Sequence, residues 1–214
     1  MSTWFAHFYR ALARPLVPWT RFLLVLALIP LAWGATERLW TVHFLAPQYP
    51  RGLELHVYTY SIEGGNQGVD LSEINTLNHY VGMRTLDPAE FADLDFLPFA
   101  IGALVLLALR VAAIGDVRAL VDLAVLTAYL GVFGIGRFVY MLYTYGHHLD
   151  PKAPIRMEGF MPPVWGTREI ANFTVASFPS LGTFLISAFG ALVLLLALWH
   201  VASATRAEAV AHAP

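Results

Sequence analysis

The sequence predicts an all-α integral membrane protein with four transmembrane helices, an N-terminal interfacial helix and two long extracytoplasmic loops. Hydrophobic residues make up 57% of the 214 residues and charged residues only 13%, and the mean hydropathy is +0.59. A soluble domain carries about 25% charged residues, so this chain has too few to cover a water-facing surface. Four apolar runs are each long enough for a bilayer crossing, which takes roughly 20 residues.

Charge and cysteine content exclude several classes of function. The formal net charge is −2, whereas a nucleic-acid-binding protein needs a clustered basic face, so no nucleic acid is expected as a partner. The chain contains no cysteine, which excludes disulfides and thiolate metal sites. No nucleotide-binding loop or nucleophile motif is present, so we expect a protein that is not an enzyme.

Residues 1–18 are predicted to form the interfacial helix on the cytoplasmic side. Aromatic residues such as Trp4 and Phe8 recur at helical spacing with arginines between them, a pattern typical of helices that lie among lipid headgroups. Pro15 ends this helix. The first span follows at residues 19–40, and we interpret it as an uncleaved signal anchor.

The other spans are predicted at residues 96–113, 119–143 and 178–201, and a cytoplasmic tail at 202–214. Only five residues separate the second span from the third, so these two must form an antiparallel hairpin. Arginines are denser near the span ends on the side of both termini, and basic residues concentrate on the cytoplasmic side of membranes. Both termini are therefore expected in the cytoplasm, and both long loops outside it.

The two loops hold most of the polar residues. Loop one covers residues 41–95 and contains a strand-like alternation at 53–62, a glycine-rich turn and a predicted short helix at 70–83. Loop two covers residues 145–177 and contains four prolines, so we expect it to be irregular and stiff. Loops of this length usually carry function or structure of their own.

The start of the short helix is predicted from its capping residues. Asp70 followed by Glu73 matches a capping box, and Ser72 is an alternative cap. The apolar residues of this helix lie at helical spacing and suit packing on the membrane surface or on a partner.

A docking surface for a partner protein is the main hypothesis for the loops, because an amphipathic helix and a stiff proline segment suit recognition. The residues assigned to this partner-binding surface are Ile74, Asn75, Leu77, Asn78, His79, Tyr80, Met83, Phe160, Pro162, Pro163 and Trp165. An acidic stretch before the second span, residues 87–95, would add charge to the same surface.

Copper handling is the first alternative. Imidazole and thioether groups together suit Cu(I), and the candidate ligands are His79, Met83, Met157 and Met161. These residues show no strict metal-ligand spacing.

Two ionisable residues fall inside the third span, and they suggest a second alternative. Asp122 lies near its cytoplasmic end, where it can reach water. Arg137 lies deeper, and a charge at that depth faces a partner or cavity, or extends toward the outer interface. Arg137 with the tyrosines near it could contact a quinone, which would make the chain a quinol-interacting electron-transfer subunit. No redox cofactor of its own is expected, because His200 is the only histidine placed in a predicted span.

Two segments resemble a known family. The first is Gly64-Gly-Asn-Gln-Gly68, followed by Glu73-Ile-Asn-Thr-Leu-Asn-His-Tyr-Val-Gly-Met83. The second is Pro154-Ile-Arg-Met-Glu-Gly-Phe-Met-Pro-Pro163 with Gly166, Ile170-Ala-Asn-Phe-Thr174 and Ser177-Phe-Pro179. With the four-span layout, they resemble the NosB-type membrane proteins of clade II nitrous oxide reductase gene clusters.

The resemblance implies a non-catalytic subunit, multi-pass in a bacterial inner membrane, that faces the periplasm. It implies a role in anchoring or docking nitrous oxide reductase, or in its maturation and electron delivery. Copper would then belong to the partner, with no cofactor in this chain. No site residues are implied by the resemblance.

Overall fold

The computed structural model describes residues 9–10, 12–91 and 94–211, the last eight of these by their backbone alone. The helices are α1 (Pro18–Leu26), α2 (Leu28–Thr36), α3 (Val69–Tyr80), α4 (Phe96–Ile114), α5 (Val117–His147) and α6 (Leu181–Ala211). The strands are β1 (Trp40–Ala46), β2 (Tyr49–Val57), β3 (Ile62–Gly64), β4 (Gly166–Ile170) and β5 (Phe173–Pro179). Short 3₁₀ turns lie at Asn66–Gly68 and Pro88–Phe91.

The prediction of an all-α protein is wrong, because both long loops contribute strands to one antiparallel sheet. Its five strands lie in the order β3-β2-β1-β5-β4. Loop one supplies the first three and loop two the last two, and the loops meet where β1 pairs with β5. The two loops therefore fold together as one structure.

Four helices are long and apolar enough to cross a membrane, as expected for a multi-pass membrane protein. They are Pro18–Thr36, Pro88–Ile114, Val117–His147 and Leu181–Ser203. The first is broken at Ala27, between α1 and α2, because Pro30 has no N–H to donate to the carbonyl of Leu26. It also ends four residues earlier than expected, since Trp40 begins β1, and the fourth begins later because Phe178 belongs to β5.

The structure divides into two compact units. The span unit contains the described residues of Met1–Trp33, Ala100–Val132 and Leu185–Pro214, and the sheet unit contains Gly34–Phe99 and Phe133–Phe184. In the span unit, residues from all four spans form one apolar core, which includes Leu24, Leu120 and Phe189. A buried hydrogen bond of 2.9 Å joins Thr20 Oγ1 of α1 to His200 Nε2 of α6.

The predicted interfacial helix is described only in part, since residues 1–8 and 11 lie outside the described residues. Leu12 and Leu16 are buried in the core of the span unit. Pro15 forms a β-bridge with Asp116, and the N–H of Leu16 donates to the carbonyl of Gly115 at 2.6 Å. This segment is thus tied to the turn between α4 and α5.

In the sheet unit, one face of the sheet packs against α3. The alternate residues Val42 and Phe44 of β1 and Leu53 and Leu55 of β2 are buried on this face, as β-strand geometry requires. Phe173 and Val175 of β5, and Ile74, Leu77 and Val81 of the loop helix and its end, complete this core. A half-buried sheet needs such a cover on one face for stability.

Candidate functional site

The second face of the sheet carries mostly polar side chains, of which some are accessible and some are buried. We call it the open sheet face. It contains Thr41, His43 and Leu45 of β1, Glu54 and His56 of β2, Thr167 and Glu169 of β4, and Thr174, Ala176 and Phe178 of β5. Leu45 is 49% exposed and Phe178 is 42% exposed, so apolar groups remain accessible among polar ones.

A cluster of two histidines around one carboxylate lies on this face. His43 Nδ1 is 3.4 Å from Glu54 Oε1, and His56 Nε2 is 3.3 Å from Glu54 Oε2. His43 and Glu54 face each other across β1 and β2, and Glu63 of β3 faces His56. Within the described residues, no three His, Asp or Glu side chains are placed so that they could hold a metal ion.

His56 is the buried member of this cluster. Only 4% of the residue is exposed, and its Nδ1 atom has no hydrogen-bond partner in the described structure. Burial lowers the pKa of His56 below its ordinary value of 6.5, and the positive charge of Arg38 lowers it further. The carboxylate of Glu54 acts in the opposite direction on this pKa but does not outweigh burial. Burial therefore favours the neutral form of the ring.

The start of α3 differs from the predicted capping box. The residue before the helix is Gly68, in the left-handed region at φ 92°, and no side chain caps the helix. Asp70 instead accepts a 2.9 Å hydrogen bond from the backbone N–H of Glu54 in β2. Glu73 accepts a hydrogen bond from the hydroxyl of Tyr49, and this contact and burial raise the pKa of Tyr49. Both carboxylates thus bind the helix to the sheet.

Several residues predicted to bind a partner are not accessible. Ile74 and Leu77 are 0% and 2% exposed because they form the core under the sheet, and Asn78 and Pro162 are also buried. Met83 and Phe160 are partly buried against the same core. The apolar face of α3 was correctly identified, but it packs on the sheet of its own chain.

Asn75 also has a structural role. Its amide donates to the carbonyl of Leu86 at 3.1 Å and accepts from the N–H of Leu86 at 2.7 Å. This pair of hydrogen bonds holds the segment that follows α3. The partner-binding residues that remain exposed are His79, Tyr80 and Trp165, of which Trp165 is 72% exposed; Pro163 is half-buried.

The acidic stretch before the second span is only partly described. Arg84 Nη2 contacts both carboxylate oxygens of Glu90 at 2.9 Å, and Asp87 accepts from the N–H of Ala89. Asp93 lies outside the described residues. At least two of these carboxylates therefore have partners within the chain.

Loop two is joined to the end of α3 by backbone contacts. The N–H of Asp150 donates to the carbonyl of Gly82 at 2.8 Å, and the N–H of Ile155 donates to the carbonyl of Tyr80 at 2.9 Å. Loop two is also more regular than predicted, because β4 and β5 form a hairpin with a two-residue turn at Ala171 and Asn172.

The four predicted metal ligands occupy different environments. His79 is exposed on α3, Met83 is partly buried in the core, and Met161 is partly buried. Met157 lines an open cleft of about 400 Å³. The residues that share this cleft are Val81, His147, Leu149, Asp150, Pro151, Arg156 and Gly159. Met157 is thus grouped with His147 in this cleft.

The two ionisable residues of the third span lie on α5, as expected. Asp122 is exposed, one turn beyond Arg118. Arg137 is half-buried, and its guanidinium carbon is 5.9 Å from the centre of the Tyr140 ring, within the range of a cation–π contact. A quinone at this position stays a prediction.

His43, Glu54 and His56 were not predicted as site residues from the sequence. The alternation of residues 53–57, which predicted the strand, already places Glu54 and His56 on one face. Their proximity to His43 depends on the pairing of β1 with β2, and residues 41–46 of β1 were assigned to loop one without a predicted strand. Comparisons of the sequence with family models and with curated proteins find no match.

Proposed function

We propose that this chain is a non-catalytic membrane subunit whose sheet unit docks a periplasmic protein. The proposed partner is nitrous oxide reductase, or a protein that matures it or delivers electrons to it. The subunit would lie in a bacterial inner membrane with both termini in the cytoplasm.

One observation supports docking most strongly: two loops separated by two spans fold together into one sheet with an uncovered face. Leu45 is half exposed near the end of β1, on the same face as the half-exposed pair His43 and Glu54. Protein interfaces combine accessible apolar groups with polar groups in this way. A rigid sheet also keeps such a surface in one conformation, which lowers the entropic cost of binding.

The identity of the partner rests on the resemblance of the two loop segments to NosB-type proteins. Part of these segments has a structural role in this chain. The glycine turn positions Asp70, and Ser177 Oγ accepts a 2.7 Å hydrogen bond from the indole of Trp40. Similarity in these segments therefore supports a shared fold of the sheet unit, and the shared partner follows as an inference.

The docking hypothesis can be tested by co-purification in mild detergent. The tagged chain should retain nitrous oxide reductase or one of its maturation or electron-delivery proteins, identified by mass spectrometry. Leu45→Lys should abolish retention because it replaces an exposed apolar group of the open sheet face by a charge. Val69→Lys is the matched control, since Val69 is 53% exposed but lies on α3. Loss of the partner in both variants, or in neither, would contradict the proposed surface.

Soft-metal binding is a second candidate function, and one observation favours it. His147 Nδ1 lies 2.9 Å from the carbonyl oxygen of Tyr143, which can only accept a hydrogen bond. Nδ1 must therefore carry the proton, and the neutral ring presents its lone pair at Nε2, the usual arrangement in metal-binding histidines. The thioether of Met157 in the same cleft is a suitable second ligand for Cu(I).

The metal hypothesis predicts that the purified chain binds one Cu(I) ion under reducing conditions. Met157→Leu preserves apolar volume but removes the sulfur, so it should weaken binding by about ten-fold or more. Met161→Leu is the control and should leave the affinity unchanged. Equal affinity in both variants, measured by competition with a chromogenic Cu(I) chelator, would reject the site.

A further inference from the structure

Arg38 and the turn between β2 and β3 lie at the level where the first span ends. The span ends at Thr36, two residues before Arg38. Thr59 Oγ1 in the turn donates a 2.8 Å hydrogen bond to the carbonyl of Ala35, one of the carbonyls left without a partner at the helix end. In a bilayer this is the level of the lipid headgroups.

The backbone at Arg38 is held firmly in this position. The N–H of Gly182 donates to the carbonyl of Arg38 at 2.9 Å, and the N–H of Ser180 donates to the carbonyl of Leu39 at 2.9 Å. A Cβ at Gly182 would lie only 2.8 Å from the Arg38 carbonyl oxygen, so close packing here requires glycine. The side chain of Arg38 therefore starts from a fixed point at the membrane boundary.

The side chain of Arg38 contacts the first of two stacked tyrosines. Its Nε donates to the hydroxyl of Tyr58 at 3.3 Å, and the exposed guanidinium leaves further N–H groups. The ring of Tyr58 stacks on that of Tyr60, with centroids 5.4 Å apart, and Tyr60 is 45% exposed. A guanidinium beside phenol hydroxyls is suited to binding a phosphate group.

An acidic group lies beside these donors. Glu63 is exposed on β3, and its Oε1 accepts a 3.3 Å hydrogen bond from Ser61 Oγ. The strand pairing places it there: Glu63 faces His56 across β2 and β3, and the N–H of Tyr58, two residues after His56, donates to the carbonyl of Ser61 at 2.8 Å. The site thus presents a cation with phenols and, next to them, a carboxylate.

We propose that this site binds the headgroup of a phospholipid that carries a primary ammonium next to its phosphate, as in phosphatidylethanolamine. Arg38 with the hydroxyls of Tyr58 and Tyr60 binds the phosphate, and Glu63 binds the ammonium. The proposal depends on the first span crossing a bilayer and is independent of any docked protein.

The two charges of the site distinguish among headgroups. Phosphatidylglycerol supplies the phosphate but no cation for Glu63. Phosphatidylcholine supplies both charges, but its trimethylammonium has no N–H and cannot donate a hydrogen bond to the carboxylate. A hydrogen bond to a charged group contributes about 1 kcal/mol or more, so the ethanolamine lipid should bind about five-fold more tightly than the choline lipid.

The test uses the full chain in detergent, supplied with ethanolamine, choline and glycerol phospholipids of identical acyl chains. Native mass spectrometry measures the lipid retained per protein. Wild type should retain about five-fold more ethanolamine lipid than choline lipid. Equal retention of these two lipids, or preference for the glycerol lipid, would overturn the proposal.

Single substitutions test the phosphate-binding residue and the ammonium-binding residue separately. Glu63→Gln should remove the preference for ethanolamine over choline lipid, whereas Arg38→Gln should lower retention of both. Glu169→Gln, an exposed carboxylate on β4, is the control and should change neither. Thermal unfolding verifies that each variant is folded. Tyr60→Phe keeps the ring stack but removes the hydroxyl, so it should lower the retention of both lipids less than Arg38→Gln does. Preserved preference in Glu63→Gln would refute the site.

Soluble phosphoethanolamine separates the headgroup from the lipid. It should displace the bound lipid only at high concentration, because it lacks the acyl chains. Binding of phosphoethanolamine without retention of any lipid would show a site for a soluble phosphoester and would contradict the proposal.

Discussion

Asp70 joins the loop helix to the sheet by a single buried hydrogen bond. Its Oδ2 accepts from the N–H of Glu54 at 2.9 Å, and the residue is only 8% exposed. The backbone N–H of Glu54 has no acceptor in β3, because the pairing of β2 with β3 ends at Leu55 and Gly64. The carboxylate thus takes the place of a strand carbonyl.

Asp70→Ala should destabilise the protein by about 1–3 kcal/mol, because it leaves the buried N–H of Glu54 without an acceptor. Asp70→Asn keeps an acceptor oxygen and should be clearly milder. Thermal and denaturant unfolding in one detergent gives the comparison. An alanine variant as stable as wild type would show that water replaces the carboxylate.

The pKa of His56 predicts a pH dependence of stability. Burial lowers this pKa in the folded state, so the folded protein binds fewer protons than the unfolded chain near pH 6. Neutral His56 therefore contributes to the stability of the folded protein above the ordinary histidine pKa of about 6.5, and this contribution is lost as the pH falls below that value. The groups that face His56 and act on it are Arg38, His43, Glu54 and Glu63.

His56→Gln should reduce the loss of stability between about pH 7.5 and about pH 5.5, a range that brackets the ordinary histidine pKa. His79→Gln, an exposed position on α3, is the control and should lose stability as wild type does. Unfolding midpoints at both pH values provide the measurement. If His56→Gln and wild type show the same loss, His56 does not carry the effect.

At the scale of elements, the end of α3 depends on a glycine. Gly82 has φ +78°, and a Cβ there would lie 2.9 Å from the carbonyl oxygen of Asp150. Gly68, at the start of the same helix, has φ +92° but no atom within 4 Å of a Cβ position. Both positions therefore have a backbone conformation that is strained for other residues, but only Gly68 has room for a Cβ atom.

Gly68→Ala should cost about 1–2 kcal/mol of stability, the penalty for an L-residue in the left-handed region. Gly82→Ala should cost more, because it adds a clash with loop two. The unfolding midpoints of the two variants and the wild type, measured under identical conditions, give the two stability losses. Equal losses would mean that loop two moves away without cost.

The elements differ in how well the sequence predicts them, and the reason is physical. The spans were located closely because each is a continuous apolar run whose signal is local. β1 was missed because the first span was extended to Trp40 and the residues after it were assigned to a loop, and the alternating burial of this strand is visible only once a partner strand is known. That partner, β5, lies about 130 residues away, and such pairing leaves no local pattern.

The candidate site was also mispredicted because long-range contacts leave no local pattern in the sequence. The apolar stripe of α3 was recognised, but a stripe does not reveal whether it meets a partner, a bilayer or a strand of the same chain. Since the sheet was not predicted, the covered face of α3 was assigned to docking, and the open sheet face was not considered.

At the scale of the whole molecule, the pairing of β1 with β5 joins both loops in one sheet, and the charge distribution predicts that these loops are periplasmic. The chain has no cysteine, so single introduced cysteines can report the orientation. Ser72→Cys on α3 should react with a membrane-impermeant maleimide in intact spheroplasts. Arg118→Cys, in the first turn of α5, should react only after lysis. The reverse pattern would invert the assigned topology.

The central claim is that the open sheet face docks a protein of the nitrous oxide reductase system. The most direct measurement is site-specific photocrosslinking in cells, with the photoreactive residue placed at Leu45 and, as control, at Val69. We expect a crosslinked product from Leu45 alone that contains nitrous oxide reductase or one of its maturation or electron-delivery proteins. Absence of such a product from Leu45, or equal crosslinking from both positions, would contradict the claim.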